Sequence, residues 1–507
     1  MSRAAEPTSG PPAGGPAEGV LSPRTGRRWI PIVGLEVHCQ LKTRSKLFCD
    51  SPYAFGAEPN TLTGVVDTAQ PGALPVLNRE AVALAVRAAL ALGATVHEWS
   101  KFDRKNYFYC DLPKGYQISQ YDRPYCTGGG VLLPSGKHVR LTRIHLEEDA
   151  GKAIHDRGDG TLVDLNRAGV PLIESVTEAD IRSAEEAHEY LTALKAILQY
   201  AGVSDCDMEK GSLRCDVNVS VHEPGTPWNT KVELKNLNSF RHVRDAVEHE
   251  VARQIELYES GDRARFPVQE TRTWDAERGS SRTMRTKEDA QDYRYFPEPD
   301  LPPLHVTREL LDAQRALLPE LPAARRERYQ RELGLSAYDA GVLTATRDVA
   351  EFFEAAARLS GAPKEAANWV SNEVLRALSD PSFPARTVAE LKVGPQGVAD
   401  VIALVAAGTI HNNAGRDVLR ALLERGGEAA ALVRELGLEQ VSDEGELERW
   451  CRAALAGKDS VVADVRAGKI KALGAVVGPV MKASRGKANP QRVQEILLRI
   501  IRDEHGG

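Results

Sequence analysis

Residues 32–42 read I-V-G-L-E-V-H-C-Q-L-K. Val33, Leu35, Val37, Cys39 and Leu41 alternate with Gly34, Glu36, His38, Gln40 and Lys42, the period of a strand buried on one face. Three later stretches repeat the pattern. Arg143, His145 and Glu147 alternate with Ile144 and Leu146; Arg214, Asp216, Asn218 and Ser220 with Cys215, Val217 and Val219; Lys231, Glu233 and Lys235 with Val232 and Leu234. The four are expected to be neighbours in a largely antiparallel sheet. Asp and Asn disfavour strands, so their place on its polar face signals chemistry rather than solvation.

Helical periodicity is clear over residues 80–92, ending at Gly93, and over 183–200, opened by Ser183 with Glu186 three residues on. A third helix is expected around 243–261. After the Pro-rich segment 297–303 the pattern is almost wholly helical, broken at Gly334, Gly361, Gly408 and Gly457. The fold class is therefore α+β: a mostly antiparallel-sheet domain followed by helical ones. Residues 1–28, rich in Pro, Gly and Ala, are expected to be disordered. The expected divisions are 1–28, 29–303, 304–408 and 409–507.

Composition is that of an ordinary globular protein, 42% hydrophobic and 27% charged, and 507 residues exceed one core. A formal net charge of −6 confines any nucleic-acid contact to local basic patches. Seven scattered cysteines without paired spacing suit a reduced, cytoplasmic chain. No apolar window is long enough for a membrane span.

The polar face gathers Glu36, His38, Glu147, Asp216, Asn218, Glu233 and Lys235. Cross-strand ion pairs would explain one such strand; four together point to a metal site. Many carboxylates with one imidazole suit Mg²⁺ or Mn²⁺ better than Zn²⁺, and Lys235, Asn218 and Lys105 suit phosphate handling. Neither a phosphate-binding P-loop nor a dinucleotide-binding glycine motif is present. Residues 101–121 interleave basic and aromatic side chains, which fits either base stacking or a strand pair with Tyr and Phe in its core. Arg272, Arg285, Lys287 and Arg294 fall in a loop-like segment, either a salt-bridged surface loop or an anion-binding lid. Lys482, Arg485 and Lys487, in a glycine-broken turn before a final helix, are candidate RNA-backbone contacts.

Several long motifs occur in order: G-L-E-V-H-x-Q-L-K-T, F-D-R-K-N-Y-F-Y-x-D-L-P-K-G-Y-Q-I-S-Q, R-I-H-L-E-E-D-A-G-K, N-R-A-G-V-P-L-I-E, L-R-C-D-V-N-V-S-V, E-L-K-N-L-N-S-F and D-Y-R-Y-F-P-E-P-D-L. From about Trp29 to its end, including A-N-W-V-S-N-E-V-L and M-K-A-S-R-G-K-A-N-P, the chain resembles the B subunit of the bacterial glutamyl/aspartyl-tRNA amidotransferases. The resemblance implies a cradle domain with kinase and transamidase activity, a helical domain and a tRNA-gripping tail. It also implies an ATP-dependent carbon–nitrogen ligase. In that family ATP and Mg²⁺ serve to phosphorylate the side-chain carboxylate of Glu-tRNA(Gln) or Asp-tRNA(Asn). Glutamine-derived ammonia arrives from the amidase, or A, subunit, while a small third protein, the C subunit, ties the two together.

By matching motif, Glu36, His38, Glu147 and Glu148 resemble the metal-proximal set, with Glu233 close by. Lys105, Asp216, Asn218 and Lys235 resemble ATP and aminoacyl contacts. Alternation favours Glu147 over Glu148 as the metal-facing residue. The family's zinc-binding cysteine positions read Cys49, Ser51, Gly64 and Asp67 here, so no structural zinc is expected. Two rival readings remain: a tRNA-binding scaffold that has lost chemistry, and a stand-alone metal-dependent phosphohydrolase or nuclease.

Overall fold

The structure is a computed structural model that describes residues 19–154, 159–286, 292–439, 444–484 and 488–504. In chain order its main first-unit elements are β1 (Arg28–Gln40), α1 (Arg79–Ala91), β2 (Asp103–Asn106), β3 (Tyr116–Ser119), β4 (His138–Glu148), β5 (Pro171–Thr177), α2 (Ala184–Tyr200), β6 (Leu213–His222), β7 (Val232–Leu237), α3 (Phe240–Glu259), β8 (Glu270–Asp275), β9 (Ser280–Thr286) and β10 (Phe296–Pro297). The sheet runs β9, β8, β7, β6, β1, β5, β4 in space, antiparallel except where β7 lies beside β8. A separate small sheet has β2 between β3 and β10.

The four alternating stretches do share this sheet, with one correction to their adjacency. β5 lies between β1 and β4. Its sequence, P-L-I-E-S-V-T, lacks alternation because it is buried on both faces. The loop-like reading of 270–286 is also corrected: β8 and β9 are paired there. Arg272 bonds Ser281, Thr283 and Glu270 across and along them, so it is a salt-bridged strand residue. Lys287 lies outside the described residues.

Val33, Leu35, Val37 and Cys39 of β1 join Val217 and Val219 of β6, Ile144 and Leu146 of β4, and Leu191, Leu194, Val243 and Val247 from α2 and α3 in one core. Burying each large aliphatic side chain contributes about 1.5–3 kcal/mol, which anchors the face of each strand. Asn78 caps α1 by accepting from the Glu80 and Ala81 amides. Ser183 caps α2 through the Glu186 amide at 3.1 Å, while the Glu186 carboxylate turns back to the Arg182 amide. α3 begins three residues before its expected start. Val20–Leu21 pair with β1, so the expectation of disorder up to residue 28 does not hold for this stretch.

The first compact unit extends to Ala323 and the second from Ala324. Leu304, Val306 and Leu310, beyond the expected division at 303, pack in the first core. Among its described residues the second unit holds two cores. One is built around Tyr329, Phe353, Val370, Val398, Leu419 and Leu422, the other around Leu447, Cys451, Val476, Val480 and Leu497. The expected division at 408 falls inside the former. One of its helices, Arg347–Ser360, stops at a glycine in a left-handed conformation, Gly361 (φ 66°), whose amide closes onto Ala357 O. All seven cysteines are free, and no described helix is long and apolar enough to cross a membrane.

Candidate functional site

Register decides what the polar face gathers. Glu174 of β5 stands opposite His38 of β1 on one side and opposite His145 of β4 on the other. Asp216 of β6 is opposite Glu36, and Asn218 is opposite Glu233 of β7. Side chains two residues apart on these strands share one face, so the centre becomes a ring of two imidazoles and two carboxylates. His38 Nε2 lies 3.5 Å from Glu147 Oε1 and 3.3 Å from Glu174 Oε2. His145 Nε2 lies 3.5 Å from Glu147 Oε2 and 3.4 Å from Glu174 Oε2. Ser119 on β3 donates to Glu147 Oε2 at 3.0 Å.

A second group adjoins it across β1. Asn218 donates to Glu36 Oε1 at 3.2 Å. Lys235 pairs with Asp216 and lies 3.1 Å from Glu233, which also accepts from Thr271 at 2.8 Å. Lys105, on β2, faces Glu147 and Glu174 and sits 5.0 Å from the centre of the Tyr293 ring.

The electrostatics follow from crowding acids in a poorly solvated hollow. Burial raises the Glu36 pKa, and Glu174, Asp216 and Glu233 raise it further. Burial opposes charge on His145, yet the Glu174 and Glu147 carboxylates override it and hold its pKa at about 9. Burial likewise works against the Glu174 carboxylate, but His145 and His38 bring its pKa well below the usual range. Lys105 is driven upward against burial chiefly by Glu147.

Glu148 does not join the ring. Its carboxylate is engaged by Lys114 and by the Ile118 amide at 2.9 Å. Glu174 is the member that sequence reasoning missed, and His145, though placed on the polar face, was not counted in the site. The available signal was a single acid inside the apolar run of β5. The aromatic stretch 101–121 is not a core strand pair throughout: Phe108 is 85% exposed and Tyr109 is exposed beside it. Lys482 is exposed at the end of the helix Gly474–Ala483, whereas Arg485 and Lys487 lie outside the described residues.

Can these residues hold a divalent cation? Ligand atoms of His38, Glu147 and Glu174 all lie within 4.8 Å of one another, and His145 Nδ1 is buried without a hydrogen-bond partner. Glu36, Asp216 and Glu233 add further carboxylates, countered nearby by Lys105 and Lys235. An oxygen-rich set with one or two imidazoles and excess negative charge fits Mg²⁺ or Mn²⁺.

The positions expected to lack zinc thiolates also converge, around a salt bridge. Lys46, 0% exposed, lies 2.9 Å from buried Asp67, which accepts from the Gly64 amide at 2.9 Å and lies 3.3 Å from Cys49 Sγ. A Cβ at Gly64 would come within 2.4 Å of Ser51 Oγ. An ammonium thus sits among the four positions, with one thiol beside it.

Comparison with known proteins now decides the family. Residues 31–312 match the GatB/GatE catalytic domain and residues 351–501 match the GatB domain. The chain belongs to the GatB family. This GatB-family chain is 50% identical over 470 residues to the aspartyl/glutamyl-tRNA(Asn/Gln) amidotransferase B subunit of Chlorobium phaeobacteroides, covering 92% of this chain and 98% of that one. The corresponding B subunits of Myxococcus xanthus and Caldicellulosiruptor saccharolyticus are each 48% identical, over 478 and 471 residues, covering 93% and 92% of this chain and 98% of theirs. The GatB/GatE catalytic-domain match contains every member of both polar groups.

Proposed function

We propose that this chain is the B subunit of a tRNA-dependent amidotransferase, an ATP-dependent carbon–nitrogen ligase in which its first unit carries the kinase and transamidase steps. The observation that carries this reading is the convergence of His38, Glu147 and Glu174 within 4.8 Å, beside Lys105 and the Asp216–Lys235 pair. Its substrates are Glu-tRNA(Gln), Asp-tRNA(Asn) or both. Its partners are the glutaminase (the A subunit) and the small C subunit, in the cytoplasm.

A carboxylate does not transfer its acyl group to ammonia because oxide is a poor leaving group. Phosphorylation replaces it. A side-chain carboxylate oxygen of the aminoacyl-tRNA attacks the γ-phosphorus of ATP, and ADP departs. Ammonia then attacks the acyl carbon, phosphate leaves, and the nitrogen loses a proton to give the amide. Bound Mg²⁺ would supply charge neutralisation on the phosphoryl oxygens, held by His38, Glu147 and Glu174 with Glu36 adjacent. Lys105 and Lys235 bring fixed positive charge to the phosphates. Asn218 and Asp216 orient Glu36 and Lys235. The acyl phosphate must meet ammonia before water, so the hollow has to be dry. In the second unit, Lys482 with Arg485 and Lys487 would grip the tRNA backbone.

The test is reconstitution with the amidase partner and each misacylated tRNA in turn. Glu36→Ala or His38→Ala should abolish ATP-dependent amide formation while tRNA binding persists. Unchanged activity would favour a scaffold, and turnover by the chain alone a phosphohydrolase or nuclease.

A further inference from the structure

Two stretches far apart in sequence meet at Lys105, which with Tyr295 lies within the electrostatic reach of Glu147 and Glu174. Residues 292–297 lie across the β2–β3 hairpin, where Phe296 pairs with Arg104 and Pro297 with Asp103. Four tyrosines then form a chain of ring contacts. Tyr107 meets Tyr293 edge-on at 6.2 Å, Tyr293 meets Tyr295 edge-on at 6.2 Å, and Tyr295 stacks on Tyr121 at 4.2 Å with planes 8° apart. Lys105, which faces Glu147 and Glu174, lies under Tyr293.

What holds this strap is Asn106. Its Nδ2 donates to Tyr293 O at 3.2 Å and to Arg294 O at 2.8 Å, and its amide donates to Tyr293 O at 2.9 Å. Between the two tyrosines Arg294 has φ 44°, a left-handed conformation that strains a residue with a Cβ. That reversal lets Tyr293 and Tyr295 contact each other while Arg294 remains exposed. Beyond it, Arg104 grips Glu298 through two bonds of 2.7 and 2.9 Å and reaches Asp300 at 3.1 Å, fixing the far end. A strained turn persists only where its surroundings over-determine it; here these include the Asn106 side chain and amide, the Asp292 carboxylate accepting from the Arg294 amide at 3.1 Å, the pairing of β10 with β2 and the Arg104–Glu298 anchor.

We propose that Asn106 is a positioning residue that holds Tyr293 and Tyr295 as a water-excluding roof over the phosphorylated carboxyl, and so sets how much ATP turnover ends in amide. The inference rests on the functional reading above. With the roof in place ammonia attacks the acyl carbon and phosphate leaves; with it open, water attacks the same carbon, and carboxylate and phosphate result. Each futile cycle consumes one ATP without product. The rings do this by apolar bulk, so their hydroxyls are dispensable.

The experiment measures ATP consumed per amide formed in the assembly reconstituted with its glutaminase partner. Asn106→Ala should raise that ratio roughly fivefold, as expected from losing two side-chain hydrogen bonds, with little change in KM for the aminoacyl-tRNA. Tyr295→Ala should raise it as well, whereas Tyr293→Phe and Tyr295→Phe should leave it unchanged. Adding Arg294→Gly to Asn106→Ala should lower the ratio again, because glycine adopts the left-handed turn without strain. A ratio unchanged in Asn106→Ala, or ATP use and amide formation falling in proportion, overturns the inference alone. An unmutated assembly that makes no ATP-dependent amide overturns the functional reading and the inference together.

Discussion

His145 and Glu174 face each other across neighbouring antiparallel strands, 29 residues apart in the chain, with Nε2 and Oε2 separated by 3.4 Å. The same Glu174 oxygen lies 3.3 Å from His38 on the other neighbouring strand. One carboxylate on the doubly buried strand β5 therefore joins the two imidazoles. Removing it leaves the buried His145 and the half-buried His38 without their common partner.

Glu174→Gln should accordingly reduce Mn²⁺ affinity and ATP-dependent activity on the order of 100-fold, read by Mn²⁺ electron paramagnetic resonance titration and by steady-state assay. Glu148→Gln is the contrast. It should leave Mn²⁺ affinity unchanged and instead destabilise the fold by about 3 kcal/mol, because Lys114 loses its buried partner. The reverse pattern would mean that Glu148, not Glu174, serves the cation.

The Lys46–Asp67 pair makes a separate prediction about stability. Both groups are buried, so Asp67→Asn leaves an ammonium without a counter-charge. Urea denaturation should show a loss of about 3–5 kcal/mol. Elemental analysis of the purified unmutated protein should find no stoichiometric zinc, since only Cys49 offers a thiol there.

Acid sensitivity is readable at Asp180, away from the site. Burial pushes its carboxyl pKa up, but hydrogen bonds and charge from Arg140, at 2.7 and 2.9 Å, bring it below the usual range. A depressed folded-state pKa contributes stability above the unfolded value of about 3.9 and loses it as pH falls through the folded value. Arg140 is largely exposed, so Asp180→Asn should cost less than about 1 kcal/mol at pH near 7. That difference should close at pH near 2, as urea midpoints for the two proteins would show.

For tRNA, Lys482→Ala should weaken binding equally for every acceptor sequence and reduce the slope of log K against log salt by roughly 1. Filter binding over a salt series measures this. An unchanged slope would place the phosphate contacts elsewhere on the second unit.

How much of this the chain announces differs from element to element. On β1, the alternation of Val33, Leu35 and Val37 with Glu36 and His38 declares both strand and buried face, because only one register satisfies the apolar set. The same holds for Asp216 and Asn218 on β6. Ser183 marks a helix start for an equally local reason, since its side chain caps its own following amide at Glu186. The polar composition of the site was legible at that level, as was the α+β division.

Which strands touch was not. Alternation reports the face a residue occupies but not its neighbours, and β5, buried toward both faces, carries no clear alternation. Only strand order put Glu174 between His38 and His145; alternation had already set Glu148 apart from Glu147, but only the β2–β3 hairpin gave it Lys114 as a partner. The strap over Lys105 is the same kind of fact. Asn106 and Arg294 are unremarkable apart, and it takes long-range pairing to make one the clamp of the other. Local periodicity fixes what is settled within a few residues, whereas contacts across nearly two hundred exist only once the chain has closed on itself.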